Sequence, residues 1–120
     1  MNFLTNKRPI IECHIGGKPA AFLLDTGASI AFIDPSYIRE YKLIKGKKYH
    51  GTVIGAGGSL KDIYYCDSLV DLPNGKIIGQ FLLSNISEVI NSIKQETGIT
   101  IVGIISWPQM KFGGVELKYK

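Results

Sequence analysis

The chain of 120 residues carries a formal net charge of +4, and 45% of its residues are hydrophobic. This length and apolar content suit one domain, residues 1–120, with a core of its own, and exclude a disordered or fibrous chain. No apolar run reaches the about 20 residues of a membrane span, and the first residues do not read as a secretory signal. We therefore expect a cytoplasmic protein without a membrane partner.

The first predicted elements are two strands and a short helix. Residues 9–15 and 18–24 are apolar runs on either side of Gly16-Gly17, which predicts a β-hairpin. The second run leads directly into Asp25-Thr26-Gly27-Ala28, and a further apolar run covers residues 29–33. Asp34 and Pro35 then predict the N-cap and first position of a helix of one to two turns over residues 36–41.

The middle of the chain predicts a hairpin with a glycine-rich tip. Its arms are residues 49–54 and 60–66, and its tip is residues 54–59. The lysines of residues 42–48 are interpreted as a solvated loop between strands. A nucleic-acid surface would carry interleaved aromatic residues or a recognised motif, so no nucleic-acid partner is predicted.

The last third of the chain contains the one substantial helix of the prediction. A turn at residues 73–75 precedes a strand over residues 76–84. Apolar residues then recur at helical spacing, which predicts a helix over residues 86–97 that packs one face on the core. Asn85 resembles a capping-box start and Gly98 a C-terminal stop. A terminal strand is expected over residues 114–119.

The two cysteines and two histidines do not predict a disulfide framework or a metal site. Cys13 and Cys66 fall in strand-like runs, where cysteine usually behaves as a small buried apolar residue, and this favours a reducing compartment. His14 and His50 have no cysteine or carboxylate at metal-ligand spacing. We therefore predict no metal and no cofactor.

Three motifs in a fixed order carry a family resemblance. They are the apolar strand entering Asp25-Thr26-Gly27-Ala28, the glycine-rich hairpin tip, and the late apolar segment Ile101-Val102-Gly103-Ile104-Ile105. Together they cover residues 9–119, and each would be weak evidence alone. The sequence resembles the retroviral-type (retropepsin-like) aspartic protease family, in particular its single-lobe cellular and bacterial members. The resemblance implies a mostly β, closed-barrel-like single lobe with one main helix, active as a dimer.

The same resemblance implies the chemistry of the Asp25 loop. Two facing carboxylates share one proton, so the ionised one acts as general base on a water molecule while the protonated one donates to the substrate carbonyl. The chain has only one such loop, so a second copy of the chain is the implied partner. Thr26 would bond across the dimer, and Gly27 and Ala28 would let the substrate main chain approach.

The resemblance also implies residues that bind a peptide or protein substrate. Ser29 would lie along the substrate main chain, and Ile30 would line a side-chain pocket. The hairpin tip would be a flap that closes over the peptide. The flap residues implied to touch substrate are Ile54, Gly55, Ala56, Gly57 and Gly58.

One segment departs from the family pattern and keeps alternatives open. Ser106 stands where the family usually has glycine if Gly103-Ile104-Ile105-Ser106 is matched, and we prefer this match to one on Ile101-Val102-Gly103. Trp107 could line the substrate groove or pack at a dimer seam. The alternative function is a catalytically silent protease-fold module for peptide binding or dimerisation. A monomer that stays latent until it assembles is a third possibility, and residues 1–5 and 115–120 are expected at the seam.

Overall fold

A computed structural model describes residues 3–50, 54–55, 58–59 and 63–115 of the chain. The helical elements are a 3-10 turn (Pro35–Tyr37), α1 (Ile38–Tyr41), α2 (Ser87–Thr97) and α3 (Trp107–Phe112). The strands are β1 (Ile10–Ile15), β2 (Lys18–Asp25), β3 (Ala31–Ile33), β4 (Lys45–Lys48), β5 (Ile54–Gly55), β6 (Gly58–Ser59), β7 (Tyr64–Cys66), β8 (Val70–Asp71), β9 (Ile77–Ile78), β10 (Phe81–Leu83) and β11 (Gly103–Ser106). The prediction of a mostly β lobe with one main helix is therefore confirmed.

Nine of the described strands form one sheet, in the order β4-β7-β10-β3-β11-β2-β1-β8-β9. Strand β2 lies inside this sheet, antiparallel to β1 and parallel to β11. Strands β5 and β6 pair in a small ladder of their own. The strand that ends at Asp25 is thus supported along both edges.

The predicted hairpin at the start of the chain is confirmed. Gly16 and Gly17 have φ values of 59° and 82°, a conformation that costs glycine little, and they reverse the chain between β1 and β2. The side chains of β2 alternate between the two faces of the sheet. Phe22 and Leu24 enter the main core, whereas Leu23 packs against a smaller cluster on the other face.

The core has two parts, and the main helix covers the smaller one. In the main cluster the rings of Phe22 and Phe81 are 5.7 Å apart. The smaller cluster joins Ile93 of α2 to Ile10 and Ile101, which confirms that the apolar face of this helix serves packing. The helix begins one residue later than predicted, and Gly98, with φ of 79°, ends it as expected.

The predicted helix start at Asp34 is confirmed, but only a 3-10 turn and one turn of α-helix follow it. The Asp34 side chain accepts the backbone N–H of Ser36, as an N-cap residue does. The chain then makes the 3-10 turn and the single turn α1, which ends at Lys42 with φ of 52°. The same carboxylate also accepts the backbone N–H of Ile86, so one side chain satisfies both segments.

The lysines of residues 42–48 are exposed as predicted, but the prediction of a loop was wrong for residues 45–48. Residues 45–48 form β4, which pairs antiparallel with β7 at the edge of the sheet. The Lys45 ammonium lies 3.8 Å from the centre of the Tyr64 ring. Lysine is disfavoured inside sheets but is common on edge strands, where one side faces water, and this explains the mistaken interpretation.

The predicted strand over residues 76–84 is broken in two. Gln80 has φ of 64°, and this kink separates β9 from β10. Strand β9 pairs with β8, whereas β10 pairs with β3 and β7. The apolar pattern runs through the kink, so it could not reveal that the two halves have different partners.

Two further predictions fall partly outside the described residues. The arms over residues 49–54 and 60–66 are seen only as β5 and β7, with β4 preceding the first of them. The predicted terminal strand begins at Gly114, which lies in a turn, and residues 116–119 are not described. The helix α3, which precedes that turn, was not predicted. No helix in the described ranges has both the length and the apolar character needed to cross a membrane.

Candidate functional site

The end of β2 and the turn after it present the Asp25 carboxylate. The Gly27 backbone N–H donates to Asp25 Oδ1 at 3.0 Å. The Ala28 backbone N–H donates to the Asp25 carbonyl oxygen at 3.2 Å. Short polar residues and glycine favour such a turn, and its amides fix the orientation of the carboxylate.

The loop after Asp25 faces solvent in the single chain. Thr26, Gly27 and Ser29 are exposed, and Asp25 itself is only partly buried. Asp25 Oδ2 accepts no hydrogen bond from the described residues. A Cβ at Gly27 would lie 3.4 Å from Asp25 Oδ1, an ordinary contact, so packing among the described residues does not itself require glycine there.

Strand β11 lies directly beside the Asp25 loop. It pairs Gly103 with Phe22 at one end and Ser106 with Asp25 at the other. A Cβ at Gly103 would collide with the Phe32 carbonyl oxygen and the Phe22 ring, so only glycine allows these strands to pack. Strand β11 consists of Gly103 to Ser106, the same four residues that the preferred match aligns with the family pattern.

A backbone hydrogen bond joins the helix α3 to the same loop. The Trp107 N–H donates to the Ala28 carbonyl oxygen at 3.1 Å. The Trp107 side chain is 45% exposed and lies at the first position of α3. The loop is thus fixed by strand pairing with the end of β11 and by a backbone hydrogen bond from the start of α3.

Ser106 is a feature of this site whose position the sequence did not reveal. Its side chain is 0% exposed, and its hydroxyl has no hydrogen-bond partner in the described part of the chain. Ser106 is also the N-cap residue of α3, but its side chain makes no capping bond. The pair Ser106 and Pro108 was a helix-start signal of the same kind as Asp34 and Pro35, and it could have predicted α3.

Three of the predicted flap residues, Ile54, Gly55 and Gly58, lie in a separate two-stranded ladder. Ile54 pairs with Ser59 and Gly55 pairs with Gly58, antiparallel. Ala56 and Gly57 lie outside the described residues. The structure thus brings the predicted residues from Asp25 to Ile30 together at the end of β2, in the nine-stranded sheet. The described flap residues lie in a separate ladder.

The cysteines lie in the core and away from any chemistry of this loop. Both thiols are free and buried. Burial raises the pKa of Cys13 to about 12, and it also raises the pKa of Cys66. Among the described residues, no three histidine, cysteine or acidic side chains come together as a metal site would require.

Comparisons with known proteins agree with this arrangement. The model of a family described as aspartyl protease matches residues 11–77, more than half of the chain. The fold is similar to that of the EIAV protease in its complex with the inhibitor HBY-793, with a TM-score of 0.68 and 22% sequence identity. That match covers 99% of this chain and 100% of the EIAV chain. No curated protein matches the sequence significantly.

Proposed function

The chain belongs to the aspartyl protease family and is an aspartic endopeptidase, and from this premise we propose that it works as a homodimer. One Asp25-Thr26-Gly27 loop from each copy would form the active site. The observation that carries the proposal is the single Asp25 loop, which is supported by pairing with β11 and is otherwise exposed to solvent. One chain supplies one carboxylate, and the reaction needs two.

The exposure of the loop supports assembly around it. Thr26 and Gly27 are exposed in the single chain, and the loop's own packing leaves room for a Cβ at Gly27. We account for glycine there by a neighbour that the described part of the single chain does not provide. A second loop and the substrate main chain are the neighbours that we propose.

In the proposed mechanism the two Asp25 carboxylates hold one proton between them. The ionised carboxylate takes a proton from a water molecule, and the water attacks the peptide carbonyl carbon. The protonated carboxylate donates to the carbonyl oxygen. The proton taken from water then passes to the leaving amine. As the C–N bond breaks, a hydroxyl of the tetrahedral diol returns its proton to the other carboxylate, so the pair again holds one proton.

The substrate in this proposal is a peptide held between the loop and the hairpin tip. Ser29 and Ile30 follow the catalytic turn and would contact the substrate backbone and a side chain. The tip, from Ile54 to Gly58, would close over the peptide, and its glycines suit both backbone hydrogen bonding and opening. The ladder pairing of Gly55 with Gly58 supports a hairpin at this place. We propose residues 1–120 as one such domain.

The experiment below also tests the alternative of a silent binding module, because of one residue. Ser106 adds a side chain beside Asp25 at a position where the family usually has glycine. A loop distorted by that side chain would bind a peptide without cutting it.

The deciding experiment compares the native chain with Asp25→Asn on a diverse peptide mixture. Asn has the same shape as Asp but cannot ionise, so it preserves packing and removes the base. We expect cleavages, read by mass spectrometry between about pH 4 and 7, that the variant loses. A dimeric native protein that cuts nothing would favour the binding module.

Dilution tests the homodimer separately. If two weakly associating copies build the site, the rate at low concentration rises with about the square of protein concentration. Mixing in an excess of Asp25→Asn should lower the native rate, because mixed dimers hold only one working carboxylate. A rate strictly proportional to concentration, unaffected by the variant, would contradict assembly from weakly bound copies.

A further inference from the structure

We propose that Ser106 is a positioning residue for Asp25: in the assembled site its hydroxyl donates a hydrogen bond, directly or through one water molecule, to the Asp25 carboxylate. This inference rests on the proposed function, because it concerns the same carboxylate. It gives a role to the Ser106 side chain, which stands beside the loop at a position where the family usually has glycine.

The strand register places the two side chains on one face of the sheet. Ile105 is paired with Leu24, and both side chains lie in the main core. The next pair along the strands is Ser106 with Asp25. Successive side chains alternate between faces, so Ser106 and Asp25 project together on the face opposite to the main core.

The hydroxyl is available because its ordinary role is blocked. A serine at an N-cap usually accepts the N–H of the second or third residue of the helix. In α3 the second residue is Pro108, which has no N–H, and no side-chain bond to the third is present. The Ser106 hydroxyl therefore does not satisfy the helix that it precedes.

A fully buried hydroxyl without a partner is costly, so the assembled protein is expected to provide one. A buried donor without a partner has lost its hydrogen bonds to water and gained none in return. This desolvation cost is unfavourable to folding, and such groups are rare in folded proteins. On its own face, the neighbouring acceptor paired with Ser106 is Asp25, whose Oδ2 receives no bond from the described residues. A turn about the serine χ1 or one bridging water would join the two.

The other charged groups on the elements packed against β2 lie elsewhere. Strand β11 carries no charged residue. In β1, Glu12 and His14 pair with Ala21 and Pro19, well before the end of β2. Helix α3 contributes only Lys111, in its last turn. A change in the titration of Asp25 on replacing Ser106 would therefore reflect the loss of the Ser106 hydroxyl and not a change at another charged group.

The test measures the titration of the Asp25 carboxyl by carbon-13 NMR in dimeric protein, with Asp25→Asn to assign the resonance. A donated hydrogen bond favours the ionised carboxylate, so Ser106→Ala and Ser106→Gly should each move the titration midpoint to higher pH. The midpoint belongs to the carboxylate pair, so native and variant proteins are compared in the same dimeric state.

Ser84→Ala is the matched control. Ser84 is also buried, at 3% exposure, and its hydroxyl also lacks a partner in the described residues. It follows β10, which β3 and β11 separate from β2. Its removal should leave the midpoint unchanged.

Two results would overturn the inference: an unmoved midpoint in both Ser106 variants, or an equal shift in Ser84→Ala. Cleavage assays on the same samples separate this inference from the proposed function. A shift without cleavage by the native protein keeps the hydrogen bond and overturns the catalytic role of the site. Cleavage with an unmoved midpoint keeps the enzyme and removes Ser106 from it.

Discussion

The Asp34 carboxylate accepts the backbone N–H of Ile86 at 2.9 Å in the interior of the protein. Its other oxygen accepts the N–H of Ser36, also at 2.9 Å. One buried side chain therefore joins the start of the 3-10 turn to the residue that precedes α2. The two segments are far apart in sequence, so this contact fixes how the main helix approaches the sheet.

Replacing Asp34 should destabilise the fold strongly. Asp34→Ala leaves two backbone N–H groups without their acceptor, and we expect a loss of about 2–3 kcal/mol in the free energy of unfolding, measured in urea. Asp34→Asn keeps one acceptor oxygen and should lose less. Equal losses for the two variants would contradict the double role.

Gly103 should tolerate no side chain. Gly103→Ala drives a Cβ into the Phe32 carbonyl oxygen and the Phe22 ring, so we expect a loss of about 3 kcal/mol. The control is Gly75→Ala. Gly75 has φ of 86° in open space, and the alanine should cost about 1 kcal/mol through backbone conformation alone. Unfolding curves in which the two variants coincide would rule out the steric explanation.

The kink at Gln80 should be improved by glycine. Gln80 is exposed and has φ of 64°, so Gln80→Gly removes a disfavoured conformation and should stabilise the protein by about 0.5–1 kcal/mol. The Gln109 side-chain amide donates to the Gln80 carbonyl oxygen at 3.0 Å. Gln109→Ala should therefore destabilise, and thermal melting of both variants checks the opposite signs.

The ion pair between Arg8 and Glu96 predicts a pH effect of known sign. Arg8 donates two hydrogen bonds to the Glu96 carboxylate, and these hold the pKa of Glu96 below its ordinary value of 4.5. A carboxyl with a lowered pKa in the folded state stabilises the protein above its unfolded pKa, and this contribution is lost as pH falls through the folded pKa. Glu96→Gln should flatten the fall in melting temperature on acidification.

That effect should be small and sensitive to salt. Both side chains of this pair are largely exposed, so water and ions screen the attraction. We expect the difference between the native chain and Glu96→Gln to shrink in high salt. A difference that salt leaves unchanged would point to packing instead of charge.

The two thiols should resist alkylation in the folded protein. The thiolate is the reactive form, and burial raises the pKa of Cys13 to about 12 and that of Cys66 above its usual value. Iodoacetamide at mildly alkaline pH should label neither residue until denaturant is added. Rapid labelling of the native protein, read by mass spectrometry, would contradict their burial.

Local signals in the sequence predicted local structure well. The first hairpin, the N-cap at Asp34 and the stop at Gly98 each depend on a few neighbouring residues with a specific backbone or hydrogen-bonding preference. The apolar face of α2 was equally clear, because helical spacing is visible within one segment.

The failures concern which segments meet. An apolar run looks the same whether it stays in one strand or kinks at Gln80 to join two partners. The lysines of β4 look like a loop unless the edge of the sheet is known. In the candidate site, the motif identified Asp25, whereas the pairing that places Ser106 beside it joins residues from opposite ends of the chain.

That pairing also sets an order for synthesis on the ribosome. Strand β2 can pair with β1 as soon as both have emerged, but its other edge stays open until β11 appears, roughly eighty residues later. Through that interval a growing chain presents an unpaired, apolar strand edge, the kind of surface on which nascent chains aggregate. The Asp25 loop therefore cannot take its final support until β11 has emerged and paired with β2.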